Sequence, residues 1–152
     1  MRSKGAMLLV ADDCDSNRRL MTTLLRPRFQ DVVEARDGDA ALRLLLGPDA
    51  PTLALLDWGM PGLDGLEVVR RVRALRRGAL PYIIMVTGHV SREEVLAAEH
   101  AGANDYVTKP FRARVLLDRV DAALSALASV DDPHGPPPSR LGKLLLRDPL
   151  QA

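Results

Sequence analysis

The sequence predicts an α/β domain built on a doubly wound, five-stranded parallel sheet with helices on both faces. Five short apolar runs alternate with five segments whose apolar residues recur at helical spacing, and this alternation is typical of such sheets. Most of the runs are continuously apolar, as expected of strands that are covered on both faces. With 152 residues, 47% of them hydrophobic, the chain can build one core but not a second complete domain.

The first strand–helix pair is predicted from an apolar run and the pattern that follows it. Ala6–Ala11 is unbroken in its apolar character and stops at two aspartates. Over residues 15–25 the apolar positions recur at helical spacing, with Leu20 and Leu24 on the apolar side and Arg18 on the polar side. The sequence therefore predicts strand one followed by an amphipathic helix.

The other elements follow from the same signals. Short runs that are β-branched or apolar and bounded by turn residues predict four more strands, at 31–35, 53–57, 82–87 and 104–108. Helical spacing and turn residues predict the remaining helices over 40–45, 65–75, 91–100 and 113–128. Ser91 with Glu94 three residues later has the pattern of a capping box, which places a helix start there.

Polar side chains stand where the predicted strands end. These residues are Asp12, Asp13, Asp57, Thr87 and Lys109. In an open α/β sheet the carboxyl ends of the strands border the ligand crevice, so we expect these groups to meet there. Three close carboxylates raise one another's pKa unless a cation compensates, and Mg²⁺ is a cation that takes such oxygen ligands. The grouping predicts that Asp57 attacks a phosphoryl group while Lys109 and Thr87 stabilise its oxygens.

Four motifs, in order, resemble those of a two-component response-regulator receiver domain. They are the acidic pair Asp12-Asp13, the segment LLDWGMPGLDG around Asp57, the strand-end pair Thr87-Gly88, and NDYVTKPF from Asn104 to Phe111. The likeness covers about Ala6 to Ala128. It implies the flavodoxin-like strand order 2-1-3-4-5.

The resemblance also implies roles for individual residues. Asp57 would be the phosphoacceptor, and Mg²⁺ would be held by Asp13, Asp57 and the backbone carbonyl of Gly59, with Asp12 assisting. Lys109 would bind the phosphate, through an approach set by a cis bond to Pro110, and Thr87 with Tyr106 would form the switch pair. His89, two residues beyond Thr87, stands where a side chain can tune attack by water, although a solvated loop histidine is an equal alternative.

The implied partners are a sensor histidine kinase or phosphotransfer protein and an output domain or target that the sequence does not identify. In such receivers, phosphorylation reshapes the surface made by helix four, strand five and helix five. A homodimer through that surface is a further hypothesis. We expect no enzymatic activity beyond self-phosphorylation and self-dephosphorylation.

Each site residue also has a simpler interpretation. Asp57 can cap the turn that follows it, Asp12 and Asp13 can cap the first helix, and Lys109 can be an ordinary exposed lysine. Tyr106 can be a packed strand tyrosine. The basic run that includes Arg70, Arg71, Arg73, Arg76 and Arg77 can meet an acidic partner, but a solvated helix face explains it better because no aromatic residues are interleaved with it.

Two rival functions use a similar sheet. A phosphohydrolase of the haloacid-dehalogenase type also needs a strand-end Asp, a lysine and Mg²⁺, but it requires a second acid where this chain has Gly59. That departure favours a phosphorylated state that persists. A flavodoxin-like cofactor binder needs phosphate-friendly residues after strand one, whereas this chain has the acidic segment DDCDS there.

Composition restricts location and partners. The formal charge is +1 at pH 7, which gives no reason to expect direct nucleic acid or membrane binding. Cys14 is the single cysteine, so an internal disulfide is excluded, and the N-terminal apolar run is too short for a signal peptide. We expect a cytoplasmic protein.

The composition changes after the last predicted helix. Residues 1–128 are predicted to be the receiver-like domain, and 129–152 a Pro-rich linker with a C-terminal tail. The tail leaves two possibilities open, a single-domain regulator or the front of a longer protein cut after the linker. RDPL at 147–150 faintly resembles the opening of a diguanylate cyclase domain, and 141–147 equally resembles the start of a winged-helix domain.

Overall fold

A computed structural model of the protein describes residues 3–88, 91–129 and 139–141. It contains the predicted elements in the predicted order, with a single turn of 3-10 helix at Arg26–Arg28 in addition. The strands are β1 Ser3–Ala11, β2 Phe29–Ala35, β3 Leu53–Asp57, β4 Tyr82–Thr87 and β5 Asp105–Thr108. The helices are α1 Asp15–Leu25, α2 Gly38–Leu46, α3 Gly65–Leu75, α4 Arg92–Ala101 and α5 Ala113–Ala128.

The five strands form one parallel sheet in the order β2-β1-β3-β4-β5. The predicted fold class and strand order are confirmed. The strand order reverses at β1, whose two neighbours are β2 and β3. Because the strands are parallel, the residues after β1, β3, β4 and β5 all emerge at the same edge, and the reversal leaves a crevice there.

Apolar side chains cover both faces of the sheet. One core cluster packs β1 and β3 side chains such as Leu9 and Leu56 against α2, α3 and α4. The other packs the alternate strand side chains, such as Leu8 and Leu55, against α1 and α5. The strands carry apolar residues in succession because both of their faces are buried.

Two strands begin earlier than the sequence pattern indicated. β1 begins at Ser3 and pairs with β2 from Phe29 onward, with a shift in register between Ser3 and Met7. Backbone pairing does not require an apolar side chain, so the apolar run by itself marked only part of each strand.

At α4, Ser91 is the N-cap and its Oγ accepts a hydrogen bond from Glu94 N at 3.1 Å, as the capping box predicted.

The predicted faces of α1 were wrong in two positions. Arg18 is buried, and its guanidinium donates to the Asp12 carbonyl at 2.8 Å and pairs with Asp15. Leu20 is 50% exposed, while Met21 and Leu25 fill the core. An arginine can be buried where carbonyl and carboxylate oxygens accept its hydrogen bonds, and helical spacing does not reveal those partners.

Two arginines of the basic run donate hydrogen bonds to oxygens of neighbouring segments instead of facing solvent. The Arg73 guanidinium donates to the carbonyls of Gly102 and Pro81 and to Asn104 Oδ1, at 2.8–2.9 Å. Arg76 donates to the carbonyl of Leu45 at 2.9 Å. The interpretation of this run as a solvated face is therefore wrong for these two residues, which join α3 to its neighbours.

None of the helices in the described ranges combines the length and the apolar character of a membrane span.

Candidate functional site

Three carboxylates meet at the carboxyl edge of the sheet. Asp12 and Asp13 follow β1, and Asp57 is the last residue of β3. One oxygen of each carboxylate lies within 4.8 Å of the oxygens of the other two. Asp12 and Asp57 are buried and Asp13 is exposed, so the cluster opens to solvent on one side.

Lys109 brings one ammonium group to these acids. Its Nζ lies 2.9 Å from Asp12 Oδ2 and 3.2 Å from Asp57 Oδ1. The backbone positions it, because Lys109 N donates to the carbonyl of Thr87 at 2.7 Å and so extends the pairing of β5 with β4. The Lys109–Pro110 bond is cis. Lys109 is therefore part of the site rather than an ordinary surface lysine.

The acids of the site do not serve as helix caps. The N-cap residue of α1 is Cys14, which makes no side-chain capping bond, and that of α3 is Asp64. Asp12 Oδ1 instead accepts a hydrogen bond from Cys14 N at 2.9 Å, which holds the carboxylate in the turn after β1. The simpler interpretation of Asp12 and Asp13 as N-caps of the first helix is therefore wrong.

Burial and charge leave Asp57 with an unusual affinity for a proton. Asp57 is 7% exposed. Burial, together with the negative charge of Asp12, raises the pKa of Asp57 from 3.8 to about 6, although Lys109 opposes the rise. Burial disfavours the Lys109 ammonium, but its hydrogen bond to Asp12 and the charge of Asp57 outweigh this and raise the pKa of Lys109.

The donor set fits a hard divalent cation. Three carboxylates face one ammonium, so one lysine does not neutralise the site, and the negative charge of Asp12 adds to burial in raising the pKa of Asp57. Mg²⁺ is commonly held by one or two carboxylates together with water and phosphate oxygens. The acidic cluster is therefore suited to such an ion.

The loop after Asp57 is shaped by backbone contacts. Trp58 N donates to the carbonyl of Val86 at 3.0 Å, and Gly65 N donates to the carbonyl of Trp58 at 2.8 Å. A Cβ on Gly65 would lie 2.3 Å from the carbonyl oxygen of Asp57, so only glycine allows α3 to begin this close to β3. Gly59 is exposed, and a Cβ there would meet nothing within 4 Å.

The two predicted switch residues lie on neighbouring strands. Thr87 is the last residue of β4 and is buried. Tyr106 lies on β5, is half-buried, and packs against the core cluster beneath α2, α3 and α4. His89 lies outside the described residues, so its tuning role stays a prediction.

Arg18 is a residue of the site that the sequence interpretation missed. Its bond to the Asp12 carbonyl, its ion pair with Asp15 and a contact at 3.6 Å to Glu34 brace the turn that carries Asp12 and Asp13. The one available signal was the Asp15–Arg18 spacing, three residues apart on a helix.

Comparison with known proteins agrees with this geometry. Residues 8–121 match the family model of the response regulator receiver domain. The chain is 38% identical to the chemotaxis protein CheY of Pseudomonas aeruginosa over 115 residues, which are 75% of this chain and 92% of that protein.

Solved structures show the same fold. The CheY-like response regulator receiver domain protein from Methanospirillum hungatei superposes with a TM-score of 0.71 at 28% identity, over 79% of this chain and 94% of that chain. The response regulator DrrB of Thermotoga maritima, an OmpR/PhoB homolog, gives 0.70 at 29% identity, over 79% of this chain. This chain spans about half of the length of DrrB, 52%.

The matching residues include every described member of the strand-edge site, from Asp12 to Lys109. Three observations indicate the same family: the family model that covers most of the chain, the relative at 38% identity, and the strand order 2-1-3-4-5 of the sheet. The chain therefore belongs to the response regulator receiver domain family and is a phosphorylation-dependent switch of two-component signalling.

Proposed function

We propose that Asp57 is the residue that accepts the phosphoryl group, from a sensor histidine kinase or a phosphotransfer protein. The observation that carries this assignment is the position of Asp57 at the end of β3, with its Oδ1 3.2 Å from the Lys109 ammonium and its carboxylate within 4.8 Å of those of Asp12 and Asp13. A buried acid beside a cation, open to solvent at one side, can be reached by a phosphorylated side chain of a partner.

The transfer is a nucleophilic displacement at phosphorus. A carboxylate oxygen of Asp57 forms a bond to phosphorus, and the bond between phosphorus and the donor's histidine nitrogen breaks, so that the imidazole leaves with the electron pair and takes up a proton. The product is an acyl phosphate on Asp57. Lys109 stabilises the negative charge of the phosphoryl oxygens, and the hydroxyl of Thr87 is proposed to donate a hydrogen bond to one of them.

Asp12, Asp13, Asp57 and the Gly59 carbonyl are the proposed holders of Mg²⁺. Bound Mg²⁺ would supply positive charge that offsets the repulsion between the carboxylates and the incoming phosphoryl group. The open space at Gly59 is compatible with a ligand approaching its backbone. Lys109 remains the residue that orients the phosphoryl oxygens from the β5 side.

The proposed response is a shift between two states of the surface formed by α4, β5 and α5. Thr87 moves toward the phosphoryl group and Tyr106 turns further inward, so that contacts made only in the phosphorylated state favour the altered surface. A two-fold dimer through this surface is part of the proposal. Sedimentation of the same monomer with and without a phosphoryl mimic would rule out the dimer.

We propose that the chain catalyses only its own phosphorylation and dephosphorylation, in the cytoplasm. The haloacid-dehalogenase alternative receives no support, because the family match is to receiver domains and because Gly59 offers no acid or base two residues beyond Asp57. An output domain or target that responds to the phosphorylated surface is part of the proposal.

The decisive experiment is the intact mass of the full chain after incubation with a small phosphodonor and Mg²⁺. We expect a single phosphoryl adduct on the wild-type chain and none on the Asp57→Ala variant. An adduct on both proteins, or on neither, would overturn the assignment of Asp57.

A further inference from the structure

Three residues beyond α5 lie against the α4–β5 side of the domain. We call this segment, Ser139–Leu141, the tail clasp. Leu141 is fully buried and belongs to the core cluster that lies beneath α2, α3 and α4. Arg140 N donates a backbone hydrogen bond at 2.7 Å to the carbonyl of Asn104, the residue directly before β5. The tail clasp therefore contributes to the packing of the domain.

Ser139 joins the tail clasp to α4. Its Oγ lies 2.9 Å from Glu99 Oε2 on α4 and 3.4 Å from the carbonyl of Ala103 in the connection to β5. The same Oγ accepts a hydrogen bond from Leu141 N at 3.1 Å, which bends the segment so that Leu141 points into the core. The tail clasp is thus bonded to α4 and to the start of β5 at the same time.

Arg140 approaches a buried acid that has few partners. Asp105 is fully buried, and among the described residues its Oδ2 has no hydrogen-bond partner. Arg140 Nε lies 3.9 Å from that oxygen. The other oxygen, Oδ1, accepts from Tyr106 N at 2.9 Å. The guanidinium of the tail clasp therefore faces the residue that directly precedes the proposed switch tyrosine.

We propose that the tail clasp is an autoinhibitory contact that holds α4 against the start of β5 in the unphosphorylated arrangement. This inference rests on the proposed function, in which α4 and β5 shift when Asp57 is phosphorylated. In this structure Lys109 pairs with the carboxylates of Asp12 and Asp57, and the proposal assigns this arrangement to the unphosphorylated state. Contacts to Glu99 on one side and to Asn104 on the other cannot all survive a relative shift of the two elements.

Coupling of this kind works in both directions. If release of the tail clasp favours the phosphorylated arrangement, then phosphorylation must favour release by the same factor. Because the tail clasp lies C-terminal to α5, its release is a signal that the receiver can pass to the chain that follows.

The test uses the full chain and beryllofluoride with Mg²⁺ as a phosphoryl mimic. Leu141→Asp puts a charge into a buried position, Arg140→Ala removes only a half-exposed guanidinium, and Leu75→Asp makes the matched change at a leucine that is 59% exposed. Binding is followed by the fluorescence of Trp58, the single tryptophan, which is next to Asp57. Amide hydrogen exchange over 95–106 reports on α4 and β5.

We expect Leu141→Asp to bind the mimic about fivefold more tightly than wild type and to exchange faster over 95–106. Arg140→Ala should change the affinity for the mimic and the exchange rate in the same direction but by less. Leu75→Asp should have the wild-type affinity and exchange rate. In the wild-type chain the mimic should accelerate exchange of the Arg140 amide.

If Leu141→Asp and Arg140→Ala both bind the mimic with wild-type affinity and exchange amide hydrogens at the wild-type rate, the autoinhibitory role of the tail clasp is overturned and the proposed function stays intact. Weaker binding of the mimic by both variants would have the same consequence. A mimic that does not bind the wild-type chain, or that binds Asp57→Ala equally well, would overturn both proposals.

Discussion

The ammonium of Lys109 lies 3.2 Å from Oδ1 of Asp57, at the ends of two strands that β4 separates in the sheet. We expect Lys109→Met to lower the rate of phosphorylation by a small phosphodonor about 100-fold, because one fixed donor to the phosphoryl oxygens is lost. Intact mass against time measures the rate. Arg114→Met, which removes an exposed cation from α5, is the control. Labelling of Lys109→Met at the wild-type rate would contradict the role of this lysine.

The raised pKa of Asp57 predicts that the domain loses stability as the pH rises in the absence of metal. The pKa of Asp57 is about 6 in the folded chain against an ordinary 3.8, so folding favours the protonated carboxyl. This contribution is complete below the ordinary pKa and is lost as the pH rises through the folded value. With a chelator present, Asp57→Asn should be more stable than wild type near neutral pH, by about 1 kcal/mol after solvent screening.

Urea unfolding of both proteins at about pH 5 and about pH 7.5 checks this expectation. The stability difference should shrink at the lower pH. A difference that is the same at both values would show that the carboxyl of Asp57 titrates normally in the folded chain.

The same proton competes with the metal. Mg²⁺ needs the ionised carboxylate of Asp57, whose pKa is about 6, so the dissociation constant should be about tenfold larger near pH 5 than near pH 7. Trp58 fluorescence during Mg²⁺ titration measures it. Asp57→Asn should bind more weakly and show a smaller pH dependence, and an equally steep dependence in that variant would assign the proton to another group.

Gly65 sets how closely α3 approaches the acceptor strand. A Cβ at this position would lie 2.3 Å from the Asp57 carbonyl oxygen and 3.0 Å from Met85 Cε, so Gly65→Ala should cost about 1–3 kcal/mol of the free energy of unfolding. Phosphorylation should also slow, because Asp57 is displaced. Gly88→Ala is the matched control, since a Cβ there meets nothing within 4 Å. Equal unfolding midpoints in the two variants would refute the close approach.

Arg73 joins α3 to the segments around β4 and β5. Arg73→Met should cost about 3 kcal/mol, because the Gly102 and Pro81 carbonyls and Asn104 Oδ1 lose a charged donor. Arg73→Lys should recover only part of this, since an ammonium cannot reproduce the planar fork. Arg71→Met, which removes only an exposed pair with Glu67, should change stability by less than about 0.5 kcal/mol. Urea unfolding in which Arg71→Met costs as much as Arg73→Met would contradict this role.

Thr87 is expected to be needed for the response more than for the chemistry. Thr87→Ala should still accept a phosphoryl group on Asp57, at a rate lowered about tenfold or less. Its amide chemical shifts over α4 and β5 should change much less on phosphorylation than those of the wild-type chain. A wild-type pattern of shift changes would show that the hydroxyl of Thr87 does not carry the signal to Tyr106.

Much of the fold and of the site could be predicted from the sequence because the signals are local. Continuous apolar runs mark buried parallel strands, and residues that follow such strands must share one edge of the sheet. The strand pattern therefore predicted that Asp12, Asp57 and Lys109 lie close together, and the resemblance to receiver domains predicted their roles. The structure then confirmed the grouping and the cis bond at Pro110.

The remaining features depend on partners that are distant in the sequence. Arg73 has the sequence pattern of a polar surface residue, yet its guanidinium is held by oxygens 29 and 31 residues away, at Gly102 and Asn104. The sequence around Asp105 gives no sign that this residue is buried, and its burial results from the packing around β5. Leu141 follows a Pro-rich stretch with no sequence signal for docking. Local periodicity determines where strands and helices form. Whether a long or charged side chain is buried depends on the carbonyls, carboxylates and apolar cavities that surround it in the folded chain.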